Sequence, residues 1–268
     1  MPEMSGPASP GEKLRLAALA SRLPEGRGGL LRWPEEVDST NTRLKEWARE
    51  GAPDRSVLLA ERQSAGRGRL GRSFVSPPGG LYLSYLLRPA LAPEDLGEIT
   101  AWVAVAVRRA LGRCCGFSPE IKWVNDLQWQ GKKLCGILCE AVLNRDRVEA
   151  LVLGVGVNAG TDPAALPPEL RRTAASLRSL GLPVPEKSAL AAELIRALDE
   201  MAGDFPQGRE EYLAEYRAAC VTLGREVTLS DGSTAFAEGL DEDFSLQLRL
   251  PDGSAQKLRS GEATLHQE

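Results

Sequence analysis

Residues 64–72 read S-A-G-R-G-R-L-G-R, with three glycines and three arginines in nine positions. From Arg62 to Pro93 there are five arginines and no aspartate or glutamate. Alternating glycines let backbone N–H groups approach a ligand, and the arginines between them supply charge and forked donors. That is anion-binding chemistry. A solvated, arginine-rich surface loop would have the same composition, and composition alone does not separate the two. The stretch is not a P-loop: it lacks Gly-Lys-Ser or Gly-Lys-Thr, and no GxGxxG leads from a strand into a helix.

A second group lies in K-W-V-N-D-L-Q-W-Q-G-K-K-L-C-G-I (122–137). Asn125 and Asp126 suit a turn at a strand end. Together with Lys122 and Lys133 they also offer a Mg²⁺ ligand and phosphate partners. A third stretch, G-V-G-V-N-A-G (154–160), ends a strand in small residues, with Asn158 leaving it. A tightly packed core strand followed by a turn reads the same way. The single histidine is His266, close to the C-terminal end. A Ser-His-Asp triad or a histidine-ligated metal would have to be built there, and both are disfavoured.

The elements that position these groups can be read from periodicity and punctuation. A short helix is expected over 12–23, ending in a Gly/Pro loop. A second follows the capping cluster Asp38, Ser39, Thr40 and Asn41 and runs to about Arg49, stopped by Gly51 and Pro53. Strands at 56–61 and 79–89 bracket the Gly/Arg loop. Residues 94–112 carry apolar positions at a three-to-four spacing, the mark of a helix with one buried face. Three strands then follow, joined by tight turns at N-D-L-Q-W-Q-G-K and N-R-D-R, which favours an antiparallel or mixed sheet. Helices are expected over 188–203 and 208–219. From Thr222 the texture becomes all-β, with Asp-Gly turns at 231–232 and 252–253 and four or five short strands. The expected class is α+β: a mixed, largely antiparallel sheet with helices, then a small C-terminal barrel. The expected divisions are a flexible segment with a short helix over 1–30, a main domain over 31–220 and the barrel over 221–268.

Composition narrows the function classes. The chain has 268 residues, a formal net charge of −4 and a sequence pI near 5.4. General adsorption to nucleic acid rests on excess Lys and Arg, so it is not expected, and the basic loop is a local feature. No run reaches the roughly 18–20 apolar residues that span a bilayer, and the N-terminus does not resemble a secretory signal. Five cysteines, Cys114, Cys115, Cys135, Cys139 and Cys220, lack zinc-knuckle spacing and disulfide-scaffold density. Free thiols in a cytoplasmic protein are expected.

Taken in order, D-S-T-N, then E-R-Q-S-A-G-R-G-R-L-G-R-S-F-V-S-P-P-G-G-L-Y-L-S-Y-L-L-R-P, then K-W-V-N-D-L-Q-W-Q-G-K-K-L-C-G-I-L-C-E, then G-V-G-V-N-A-G closely resemble the biotin–protein ligases. The resemblance runs from about Val37 to Asn158 and extends to the C-terminal barrel. It implies a biotin/lipoate-ligase-like catalytic domain followed by an SH3-like barrel. It also implies a two-step reaction with ATP, biotin and Mg²⁺. Biotin is activated to biotinyl-5′-AMP with release of pyrophosphate, then transferred to a lysine of a biotin carboxyl carrier protein. Neither step needs an enzyme nucleophile.

By match to the family's motifs, Ser39, Thr40, Asn41, Gln63, Gly66, Arg67, Gly68, Arg69, Lys133 and Gly136 are the biotin-binding candidates. Arg69, Arg72, Phe74, Asn125, Lys133 and Asn158 are the candidates for ATP, and Asp126 for Mg²⁺. Lys133, Arg67 and Arg69 are the catalytic candidates, acting by charge and position. The chain departs from the family pattern at Val124, where proline is common, at Leu70, where a further basic residue is common, and at Phe74, where tryptophan is common. The 36 residues before Val37 are too short for the family's winged helix-turn-helix, so a monofunctional ligase without operator binding is expected. A homodimer is possible by the family's habit. The alternatives are a lipoate or octanoyl ligase or transferase on the same scaffold, and a non-catalytic biotin or nucleotide sensor.

Overall fold

The computed structural model describes residues 8–89, 98–144, 147–259, 261 and 263–265. His266, the start of the helix expected from residue 94 and the tip of the N-R-D-R turn lie outside the described residues.

Among the described residues a seven-stranded sheet forms the centre. Its strands are β1 (Leu31–Arg32), β3 (Val57–Ala60), β5 (Leu81–Leu87), β9 (Arg147–Val157), β8 (Lys132–Asn144), β7 (Asp126–Trp129) and β6 (Glu120–Lys122), in that spatial order. Only the β1–β3 pair is parallel. Two short strands, β2 (Glu36–Val37) and β4 (Arg62–Gln63), pair in parallel beside it.

The two faces of the sheet follow the period-two alternation of its strands. Val57, Leu59, Leu83, Tyr85, Leu151, Leu153 and Val155 join the main core, where α3 (Ile99–Cys115) and α4 (Lys187–Asp204) pack. Their partners in the alternation, Leu58, Ala60, Leu86, Ala150 and Val152, meet Leu44 and Ala48 of α2 (Thr40–Arg49) on the other face. The helix α5 (Arg209–Ala219) lies against α3 and β6. Within the 1–30 segment, α1 (Pro10–Ala20) docks on α4, with Leu19 fully buried and the Arg15 guanidinium donating to the Trp33 carbonyl at 3.0 Å.

Strands β10 (Glu226–Leu229), β11 (Thr234–Leu240), β12 (Leu246–Arg249), β13 (Ala255–Leu258) and β14 (Ala263–Leu265) form a five-stranded antiparallel sheet. It is not a loose appendage. Val227, Phe244 and Leu246 belong to the same core as α3, and Trp123 donates its indole N–H to the Phe244 carbonyl at 3.0 Å. The fold is thus α+β with a small C-terminal β-unit, as expected. The five cysteines are free thiols, and among the described residues no helix is long and apolar enough to cross a membrane.

Candidate active site

The cavity floor is made by what the strands leave out. On the α2 side of the sheet, β9 presents Ala150, Val152, Gly154 and Gly156 in succession, so its side chains taper away. Gly156 pairs with Gly136 of β8 and with Tyr82 of β5; Gly154 pairs with Leu138 and Ser84. A Cβ on Gly156 would stand 2.5 Å from the Phe74 ring, and one on Gly154 would collide with the Asn41 amide. The alternation in G-V-G-V therefore opens one face and packs the other.

One end of the cavity is a polar network. Ser39 caps α2, which places Thr40 and Asn41 on its first turn over the glycine floor. The Thr40 backbone N–H and hydroxyl both point at Gln63 Oε1, at 2.8 and 3.1 Å, and Gln63 Nε2 donates to Ser76 Oγ at 2.8 Å. Ser84 Oγ lies 2.6 Å from Asn41 Oδ1 and 2.8 Å from Thr40 Oγ1. Asn41 Nδ2 donates to the Leu138 carbonyl at 3.0 Å and to Glu140 Oε2 at 2.9 Å.

The other end is cationic. The Gly/Arg loop folds as a tight hairpin, with Gly68 N–H donating to the Arg72 carbonyl at 2.7 Å and Phe74 N–H to the Gly66 carbonyl at 2.9 Å. A Cβ on Gly66 would run into the Phe74 carbonyl and Ser76 Oγ, so the turn needs glycine there. Leu70 adopts a left-handed φ of 55° and turns its side chain outward, 68% exposed. Arg69 donates to Asn125 Oδ1 and to the Gly261 carbonyl of the C-terminal unit, both at 2.9 Å. Lys133 Nζ sits 2.7 Å from Asp126 Oδ1, with the Phe74 ring centroid 5.8 Å away. Arg67 turns instead towards the polar network: it reaches Glu140 Oε1 at 3.2 Å, an oxygen that also takes the Lys45 ammonium at 2.7 Å.

Burial pushes the Glu140 carboxyl up. The hydrogen bonds from Lys45 and Asn41 and the charges of Lys45 and Arg67 outweigh it and hold the group below the ordinary carboxylate range. Cys139, also on β8, is pushed up to about 12 by burial, and Cys135 is raised further by the same cause. Both are neutral thiols, so neither supplies a ready nucleophile.

The structure gathers Ser39, Thr40, Asn41, Gln63, Arg67, Gly68, Arg69, Arg72, Phe74, Asn125, Asp126, Lys133 and Gly136 around this one cavity. Gly66 shapes the loop from outside the cavity lining, and Asn158 stands apart. It is 5% exposed at the end of β9, its backbone tied to Leu134 and Leu177 and its side-chain oxygen without a hydrogen-bond partner. The cavity also takes Lys122, Trp123, Tyr82, Gly154 and Gly156, and Gly261, Ala263 and Thr264 of the C-terminal unit. Lys122 and the glycines of G-V-G-V stand out in the sequence; Trp123, Tyr82, the three C-terminal residues, Ser84 and Glu140 are not among its site candidates. The Trp123–Val124 peptide is cis, and the Val124 carbonyl accepts from Tyr216 Oη at 3.2 Å.

A resident metal is not favoured by this donor set. Asp126 is a single carboxylate already ion-paired to Lys133, and among the described residues no three His, Cys, Asp or Glu side chains cluster to hold an ion. One carboxylate does suit a Mg²⁺ ion held chiefly by phosphate oxygens and water.

Comparison with known proteins points the same way as the cavity. Residues 33–158 match the family described as the biotin/lipoate A/B protein ligase family. A biotin–[acetyl-CoA-carboxylase] ligase of Paracoccus denitrificans is 33% identical over 234 residues, covering 81% of this chain and 93% of the relative. The corresponding ligase of Mycobacterium tuberculosis is 31% identical over 221 residues, covering 80% of each. Among solved structures, the biotin protein ligase of Aquifex aeolicus in complex with biotin and ATP superposes with a TM-score of 0.75 at 31% identity, over 89% of this chain and 99% of that one. This chain belongs to the biotin/lipoate A/B protein ligase family.

Proposed function

We propose that this chain is a biotin–protein ligase. It condenses biotin with ATP to biotinyl-5′-AMP and pyrophosphate, then passes the biotinyl group to a lysine of a biotin carboxyl carrier domain. The observation that carries the reading is the joining, in one cavity, of a hydrogen-bonding end (Thr40, Asn41, Gln63) with a cationic end (Arg69, Lys133). Biotin has a matching polarity: a ureido ring at one end and a carboxylate at the other.

In the first step a biotin carboxylate oxygen bonds to the α-phosphorus while the α–β anhydride bond breaks, its electrons leaving with pyrophosphate. In the second, the acceptor amine attacks the acyl carbon, the C–O bond to AMP breaks, and the amine's proton is lost as the amide forms. Both transition states concentrate negative charge on oxygen, so fixed cations stabilise them without an enzyme nucleophile. Lys133 sits between the glycine floor and Asp126, and we assign it to the carboxylate–phosphate junction. Arg67 and Arg69 close the loop side, with Arg72, Phe74 and Asn125 assigned to the nucleotide; Asn158, outside the cavity lining, is given no contact with it. Asp126 would be the one protein carboxylate to Mg²⁺ arriving with ATP, which adds charge neutralisation at the phosphates.

A lipoyl group on the same scaffold fits less well, because its dithiolane ring offers the Thr40–Gln63 end neither a donor nor a good acceptor. The test is isotope exchange between ATP and pyrophosphate. Biotin should drive it and lipoate should not. Exchange driven by lipoate, or by neither acid, would contradict the assignment.

A further inference from the structure

We infer that Glu140 is a positioning residue, which orients the hydrogen bonds at the polar end of the cavity and anchors Arg67 of the loop to that same end. The inference rests on the ligase reading and deepens it.

An acid is out of place where Glu140 stands. Along its face of β8 it lies between Leu138 and Val142, and it pairs with Val152 of β9. An apolar side chain would suit that stripe, and removing a carboxylate from water is costly unless its partners compensate. Here they come from two elements: Asn41 and Lys45 of α2, and Arg67 of the loop.

The ionised carboxylate only accepts, as the Leu138 carbonyl does, so the two together fix which way the Asn41 amide turns. Asn41 must present Nδ2 to Glu140 Oε2 and to the Leu138 carbonyl. Its Oδ1 is left to Ser84, whose single proton is committed at 2.6 Å. Thr40 Oγ1, 2.8 Å from Ser84 Oγ, cannot receive that proton. It must donate its own, to Ser84 or to Gln63 Oε1, which the Thr40 backbone N–H already orients. Thr40 therefore offers the cavity an acceptor. A ligand carrying N–H there, as a ureido ring does, is selected. The second carboxylate oxygen holds Arg67, so one residue joins the ligand's recognition end to the loop.

The test is biotin-dependent ATP–pyrophosphate exchange with the full chain. Glu140→Gln, which can donate as well as accept, should raise KM for biotin about tenfold and leave KM for ATP within about twofold. Ser84→Ala breaks the relay one link further on without touching charge or Arg67. It should give the same split, and it carries the test if the first variant does not fold. Lys45→Met removes a partner of Glu140 but neither link, and should change KM for biotin less than Glu140→Gln does. A KM for biotin unchanged in Glu140→Gln and Ser84→Ala, or rising in step with KM for ATP, would overturn the positioning role alone. No exchange in the wild-type chain would overturn the ligase reading and this inference together.

Discussion

Lys133 shows how little a residue's type says until its neighbours are known. In the sequence it is one lysine of a Lys-Lys pair on a hairpin; in the fold its ammonium is held 2.7 Å from Asp126 at the rim of a glycine floor. If it stabilises charge in the first step, Lys133→Ala should slow exchange about a hundredfold, the scale seen when a preorganised transition-state donor is removed. Biotin affinity, measured by calorimetry, should change only a few-fold. Equal losses in both would make it a binding residue. The arginines of the loop could be singled out in the sequence because their density was local in an acidic chain. Glu140 and Ser84 could not. Each is a polar residue flanked by apolar ones in its strand, and its meaning comes from partners on α2, 43 to 99 positions away in sequence.

At the scale of elements, the site depends on α2 beginning over a strand whose side chains have run out. The alternation Ala150, Val152, Gly154, Gly156 makes that possible. Asn41 is locked over Gly154 by Leu138, Glu140 and Ser84, so it has no cheap way to yield. Gly154→Ala should therefore destabilise the chain by about 1–3 kcal/mol, the usual cost of overpacking, and weaken biotin binding. Thermal denaturation alongside exchange kinetics checks this; an unchanged midpoint and KM would mean the floor is not tightly filled. The strands and helices themselves were largely legible, because turn residues and apolar periodicity are local signals. The expected helices over 188–203 and 208–219 appear as Lys187–Asp204 and Arg209–Ala219. What was not legible was the crossing of α2 over β9, which depends on packing between segments more than a hundred residues apart.

At the scale of the whole chain, the C-terminal β-unit closes the site. Its sequence announced a small barrel through its Asp-Gly turns, but gave no sign that Gly261, Ala263 and Thr264 reach the cavity or that Gly261 accepts from Arg69. Those contacts, with Trp123 bonded to Phe244 and a shared core, make the two sheets one unit around the cavity. Amide formation between biotin and a carrier lysine is read most directly from the intact mass of a biotin carboxyl carrier domain after incubation with the chain, biotin and Mg-ATP. A gain of one biotinyl group is expected, lost when the acceptor lysine is replaced by arginine. A carrier whose mass stays unchanged, while the same chain binds biotin, would contradict it and favour a sensor.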